Sequence, residues 1–590
     1  MRPTVLRAWL LVGVVLAALA STAVAEAAGP LAEDAWDYTK ARHLLWRAGF
    51  GGTPEEVEEL HAMGLRDAVA YLVDYRKQPE ADIAFAIADP QPVEQIKLDR
   101  KALAKLTPEE RKKLLQQQKK NATKNRKQNE RQLYVELRGW WTKRMVESPR
   151  PLEEKLVLFW HGHFATGFRT VRNTRAMYLQ NELFRKHAAG NFGQLLHGIV
   201  HGPAMLRYLD NDKNVKGRPN ENLAREIMEL FSMGEGNYTE QDIKEAARAL
   251  TGYTIEGRTA KFVFRDKVHD DGEKTIFGKT GNFDGDELVD LILEQPATAK
   301  FIAWKLFRFF AHEDPSEQTV GQLAQLLRDN DYELAPMLKS MFLSDEFYSS
   351  RSMGTQIKSP VQLVVGMLRS LGAEQPNSTA LVTAATSMGQ DIFQPPNVKG
   401  WDGGQTWINT NTVFARHNFA GTLLAQAARP TKRAPRPEFV RGFLKKLDTN
   451  GDGKLSQEEA KPSKLKNSFG KLDTDSDGTL SEQELKNGFR KLFAPAPQQR
   501  KGAPAALRLD FVELLQDQDL QSAPEVVDYL AKACFVVSLS DAQRTELVDF
   551  LDADNPLPPA SQWKGQQQQV NAKLIALLVL MMSMPEYQLT

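Results

Sequence analysis

Two stretches of twelve residues repeat one spacing of oxygen-bearing side chains. The first carries Asp448, Asn450, Asp452, Lys454, Ser456 and Glu459; the second carries Asp473, Asp475, Asp477, Thr479, Ser481 and Glu484. In each, oxygen donors stand at positions 1, 3, 5 and 9, a glycine (Gly453 or Gly478) at 6 and a glutamate at 12, which matches the EF-hand loop. Hard oxygens at this spacing suit calcium, which takes about six to eight of them. Three short side chains fold round the ion, the glycine permits the sharp turn, and the last glutamate closes the cage with both oxygens. Lys454 and Thr479 would each contribute a backbone carbonyl. In an exported protein the affinity expected is about 10⁻⁴–10⁻³ M, which suits a structural ion better than a signal.

A second set of residues could do chemistry only if distant segments meet. His161 and His163 lie in ESPRPLEEKLVLFWHGHFATG. Residues two apart point to opposite sides of a helix, so both could reach one metal only if the helix ended by His161. Zinc or iron needs at least three N, O or S donors, and this pair supplies two. Asp210, Asn211 and Asp212 end a short helix nearby in sequence. In PNENLAREIMELFSMGEGNYTEQDIKEAARALTG, Asn222, Glu226 and Glu229 share a ridge beside an apolar stripe of Leu223, Ile227, Leu230 and Phe231. His269 with Asp270 could ligate a metal or act as a base and its orienter. Joined, these groups would make a transition-metal enzyme, with a hydrolase as the class to expect. The plainer reading gives packed histidines, a Glu221/Arg225/Glu229 ion-pair ladder worth about 0.2–0.5 kcal/mol per pair, and an Asp/Gly turn. Trp401 and Trp407, in a loop of prolines and glycines, could stack on a ligand or plug a core edge.

The elements that must hold these residues are mostly helices. Thr53-Pro54-Glu55-Glu56, Thr239 with Asp242, and Ser359-Pro360 are helix starts; Asn220 or Asn222 can cap the helix holding Glu226, and Gly234 can end it. A long polar helix is expected over 95–136, solvated or facing an anionic surface, with residues 97–128 as the contact. Short strands are expected at Lys261–Phe264 and Thr275–Phe277. The aromatic block Phe301–Phe310 reads as core. The fold class is therefore mainly α: a multi-helix globular body with a few short strands, interrupted by a tandem EF-hand insert.

Within 590 residues, 42% hydrophobic and 26% charged, there is room for several cores, and the formal net charge of +1 offers no global field for nucleic acid. Residues 1–25 combine Arg2 and Arg7, the apolar run Ala8–Ala20 and Ala23-Val24-Ala25, the pattern of a secretory signal cleaved before Glu26. The chain is expected to be exported to the periplasm, envelope or medium, with an envelope or extracellular partner and no transmembrane segment after cleavage. Cys534, the single cysteine, has no partner for an intrachain disulfide. The main helical body spans 26–428 and resumes over 506–590; the linkers 429–437 and 494–505, rich in proline and basic residues, flank the paired loops within 438–493. Phe439, Phe443 and Leu447 entering and Leu485, Phe489 and Leu492 leaving would give the pair a shared core. The chain has no nucleophile elbow, phosphate-cradling glycine loop or haem-attachment cysteines.

The segments FWHGHFATG (159–167), PNENLAREIMELFSMGEGNYTE (219–240), ARALTGY (247–253), HDDGEKTIFG (269–278), IKSPVQLVVGMLRSLG (357–372), PPNVKGWDGGQTWI (395–408) and MSMPEYQL (582–589) carry a family resemblance. Through them the chain resembles the large bacterial domain-of-unknown-function family numbered eighteen hundred, from about Tyr38 to Thr590 with an interruption after residue 428. The resemblance implies an exported, mostly helical bacterial protein and transfers no activity and no catalytic residue.

Overall fold

The computed structural model describes residues 29–87, 106–257, 259–373 and 378–427 and, with short interruptions, 447–485 and 511–590. The expected secretory signal (1–25), the expected linkers (429–437 and 494–505), Phe439, Phe443, Phe489 and Leu492 lie outside the described residues. The chain is mainly α-helical and divides into two compact units, one of Met1–Leu424 with Leu507–Thr590, the other of Ala425–Ala506. Among the described residues, no helix is long and apolar enough to cross a membrane.

Two helices of the first unit are almost wholly buried. In α1 (Pro151–His163) every residue but Gly162 is buried, and in α2 (Pro360–Ser370) every residue but Arg369. Both enter through a proline at the first turn, where the missing N–H costs nothing. Ser359 caps the second in a full capping box with Gln362. Thr53 with Glu56 and Thr239 with Asp242 build the same box at their expected places. The C-terminal MSMPEYQL segment closes onto the entry to Pro360–Ser370: Gln356 and Thr590 exchange backbone hydrogen bonds at 3.1 and 2.8 Å, and the Lys358 N–H donates to Gln588 O at 2.8 Å. The unit is thus completed by chain from both sides of the second unit.

The long polar helix departs from the expected 95–136. It runs over Pro108–Glu147, because Thr107 and Glu110 form a capping box with Pro108 at the first position, and because Leu137, Trp140, Trp141, Met145 and Val146 bury its last turns. The Thr107 cap sets the start of the helix, whereas the density of Gln and Lys runs on beyond it in both directions; residues 88–105 lie outside the described set. The two expected short strands are present, the second one residue earlier than Thr275–Phe277 because Phe277, at φ 49°, belongs to the turn, and they do not pair with each other. Lys261–Phe264 pairs antiparallel with Tyr253–Glu256, and Lys274–Ile276 with Lys279–Gly281. Each is one arm of its own hairpin.

The second unit has a small core of Leu455, Ala460, Phe469, Leu472, Leu480 and Leu485, with Leu447 packed against it. Leu455–Ser456 and Thr479–Leu480 form a two-stranded antiparallel pair that joins the two twelve-residue loops in a fixed register, Leu455 opposite Leu480.

Candidate metal centre and the polar sites of the main unit

In both loops of the second unit the acidic side chains fold inward onto their own backbone. Asp448 Oδ2 accepts the Gly453 N–H at 2.9 Å and Asp473 Oδ2 accepts the Gly478 N–H at 3.0 Å. Those two glycines have φ of 79° and 80°, the left-handed region that a Cβ disfavours. Asn450 and Asp475 each accept the N–H two residues on, at 2.9 and 3.2 Å, and Asp452 and Asp477 do the same, both at 2.8 Å. The glutamates at position 12 fold back to Ser456 and Ser481: the Ser456 hydroxyl donates to Glu459 Oε2 and the Ser481 hydroxyl to Glu484 Oε2, each at 2.8 Å. Hydrogen bonds from the Ser456 and Thr449 groups hold the Glu459 carboxyl down at about 2. Lys454 Nζ reaches from the first loop to Asp477 Oδ2 of the second at 2.8 Å, and that bond holds the Asp477 carboxyl at about 2.

Asp473, Asp475 and Glu484 each bring one carboxylate oxygen within 4.8 Å of the others. Among the described residues this is the one group of three or more His, Cys, Asp or Glu side chains so arranged. Asp473 Oδ1 is buried and accepts no hydrogen bond among the described residues. A buried carboxylate oxygen without a donor carries a desolvation cost that a cation would relieve. The donor set, all oxygen, fits a hard divalent ion.

The main-unit candidates do not form such a group. The helix holding the histidines continues through His163, so His161 and His163 face different surroundings. His161 Nε2 accepts the Phe393 N–H at 2.8 Å, which leaves the proton on Nδ1, and burial pushes its pKa down to about 3. His163 is the opposite tautomer: its Nε2 donates to Phe231 O at 2.9 Å, and burial drives its pKa well below the usual value. Each ring is a bracket for a neighbouring segment. His161 holds the 392–401 loop, where Trp401 lies 5.7 Å from it ring to ring. In the same loop Gly400, at φ 83°, sits so close that a Cβ there would stand 2.1 Å from Gly162 O.

The segment holding Glu226 begins as a helix over Asn222–Glu226 and widens to a π-helix over Ile227–Ser232, where Met233 N–H donates to Met228 O at 2.9 Å. The Ser232 hydroxyl donates to Ile227 O at 2.6 Å, and Phe231 O is the carbonyl that His163 takes. Leu223, Ile227 and Phe231 are buried as expected, while Leu230 is half-buried. Asn220, one of the two capping candidates, accepts the Asn222 N–H at 3.0 Å. The ladder is corrected: Arg225 pairs with Glu221 at 3.3 Å and with both oxygens of Glu240 at 2.8 Å, whereas Glu229 accepts the Tyr238 hydroxyl at 2.8 Å. Burial, then the charge of Glu229, raises the Glu226 carboxyl, and Lys399 opposes them. Asp270 forms a two-point pair with Arg248 at 2.9 and 3.2 Å, which holds its carboxyl at about 2, and His269 Nδ1 bonds Thr251 O at 2.8 Å. The pair His269 and Asp270 thus ties the 266–273 loop to the helix Glu240–Ala249. Trp407 is buried, 7% exposed.

One polar centre of the main unit was not foreseen. Glu154, fully buried at the start of Pro151–His163, accepts from Trp141 Nε1 at 3.0 Å, from Arg144 Nε at 2.9 Å and from Arg185 Nε and Nη2 at 2.7 and 2.9 Å. Burial alone would raise its carboxyl, but the two guanidinium groups hold it below the ordinary range. Its neighbour Glu153, 4% exposed, has Arg150 Nη1 at 3.8 Å, and burial and the charge of Glu154 push its carboxyl up to about 7. The only signal in the sequence was two adjacent glutamates opening an apolar helix, which reads equally as a favourable first turn.

With this geometry in hand, the chain can be placed. Residues 43–589 match the family described as Protein of unknown function (DUF1800), and the chain belongs to that family. No curated protein and no solved structure matches it.

Proposed function

We propose that this protein is a calcium-binding member of its family, with one ion in each of the loops 448–459 and 473–484. The observation that carries the reading is the convergence of Asp473, Asp475 and Glu484 on a point within 4.8 Å, with Asp473 Oδ1 buried and unpartnered. The matching register of the first loop, joined to the second through Leu455 and Leu480, supports an EF-hand pair that binds two ions and is stiffened by them. An ion would take Asp477 as a ligand and so displace Lys454, exchanging one surface ion pair for charge balance at a dication. The pattern of residues 1–25 supports an exported protein that meets calcium outside the cytoplasm. Isothermal titration with calcium tests the site: the double variant Glu459→Gln, Glu484→Gln is expected to lose binding while the tryptophan emission of the main unit stays that of the parent chain. None of the ten tryptophans lies within 425–506, so emission reads the first unit alone. Unchanged calcium binding in the double variant would sink the proposal.

A further inference from the structure

A cavity of about 460 Å³ opens in the main unit beside Glu153, within the range of about 300–1,000 Å³ usual for small-molecule sites. Apart from Gly190, every residue lining it is polar or charged. An apolar ligand would find nothing to bury against. Both signs of charge are present: Arg76, Arg150, Arg185 and Lys186 are the cations, and Glu80, Glu153, Glu182 and Glu333 the acids. Arg185 is held by Glu154 and Glu182, whereas Arg76 and Arg150 are oriented by neutral groups, since Arg76 Nη2 donates to Lys186 O at 2.5 Å and Arg150 Nε and Nη2 donate to Gln78 O at 3.1 and 2.5 Å. A carbonyl fixes a guanidinium group without cancelling its charge. Glu153 is the odd member. It is 4% exposed, its Oε2 accepts no hydrogen bond among the described residues, and its nearest cation stands 3.8 Å away. Arg185 already answers Glu182 and the Asn191 amide donates to Glu333, so Glu153 is the buried acid left facing Arg76 and Arg150, and a ligand of one sign would answer only one of these two groups.

We propose that this cavity binds a small zwitterion, an α-amino acid or short peptide, with its ammonium group at Glu153 and its carboxylate at Arg76 and Arg150. Two charges on one short frame answer both sets of side chains at once, and planar guanidinium groups suit a carboxylate. The test is saturation-transfer NMR on the full chain with the standard amino acids and dialanine. At least one zwitterion is expected to show transfer, with its N-acetyl and methyl-ester forms bound at least tenfold more weakly. Glu153→Gln and Arg76→Ala should each weaken binding tenfold or more, and Arg66→Ala should leave it unchanged. Arg76 is exposed, so its variant keeps the test alive if Glu153→Gln fails to fold. Absence of transfer to any of these probes, equal binding of the blocked forms, or indifference to both cavity variants would overturn the proposal.

Discussion

Glu153 and Glu154 are adjacent in sequence, both buried, and should respond to the same substitution in opposite ways. For Glu153 the folded carboxyl sits at about 7 against an ordinary 4.5. A raised folded value contributes stability below the unfolded pKa that is lost as the pH climbs through the folded one. At about 1.4 kcal/mol per unit, the loss is about 1 kcal/mol at pH 5 and about 3 kcal/mol by pH 8. The side chain is 5% exposed, so solvent screening takes little from this. Glu153→Gln removes the titration, and its stability relative to the parent chain should therefore rise by about 2 kcal/mol between pH 5 and pH 8. Glu154 has the reverse sign: its carboxyl is depressed, so its contribution is present above 4.5 and is lost as the pH falls through its folded value. Glu154→Gln leaves Arg144 and Arg185 without their buried anion, with only the more exposed Glu80 and Glu182 still beside them, a loss of about 3–5 kcal/mol at pH 7. Urea unfolding followed by tryptophan emission measures both. A pH-independent difference for Glu153→Gln, or a Glu154→Gln chain within 1 kcal/mol of the parent, would refute the assignment of charges in this centre.

Gly400→Ala sets a Cβ against Gly162 O at a positive φ, and should cost at least about 1–3 kcal/mol in the same unfolding assay and loosen the loop that His161 holds. N-terminal sequencing of the protein recovered outside the cytoplasm should begin at Glu26; a chain that retains Ala8–Ala20 would contradict the cleavage reading.

What the sequence disclosed was local. Caps such as Thr53 with Glu56, Thr239 with Asp242 and Ser359 with Gln362 could be read because every partner lies within three residues. The twelve-residue loops were legible for the same reason. The strand segments expected at 261–264 and 275–277 were legible as elements, the second one residue out, but not as pairs, since pairing depends on turns rather than on the polar loop between them. His161 and His163 carried a chemical spacing, yet their partners, Phe393 and Phe231, are backbone groups 232 and 68 residues away. No side-chain pattern announces a backbone partner that far away in sequence. The Glu154 centre was hidden likewise, because Arg144 and Arg185 come from helices 10 and 31 residues away on opposite sides in sequence. The ladder of Glu221, Arg225 and Glu229 was half right: Arg225 found a better two-point partner in Glu240 across the helical hairpin.

Calcium in both loops of the second unit is open to a direct count. Equilibrium dialysis of the full chain against labelled calcium, at millimolar free ion to suit the weak affinity expected outside the cell, counts the ions directly. Two ions per chain, falling to none when Glu459 and Glu484 are both changed to Gln, is the predicted result. No bound calcium in the parent chain, or two ions retained in the double variant, would contradict it.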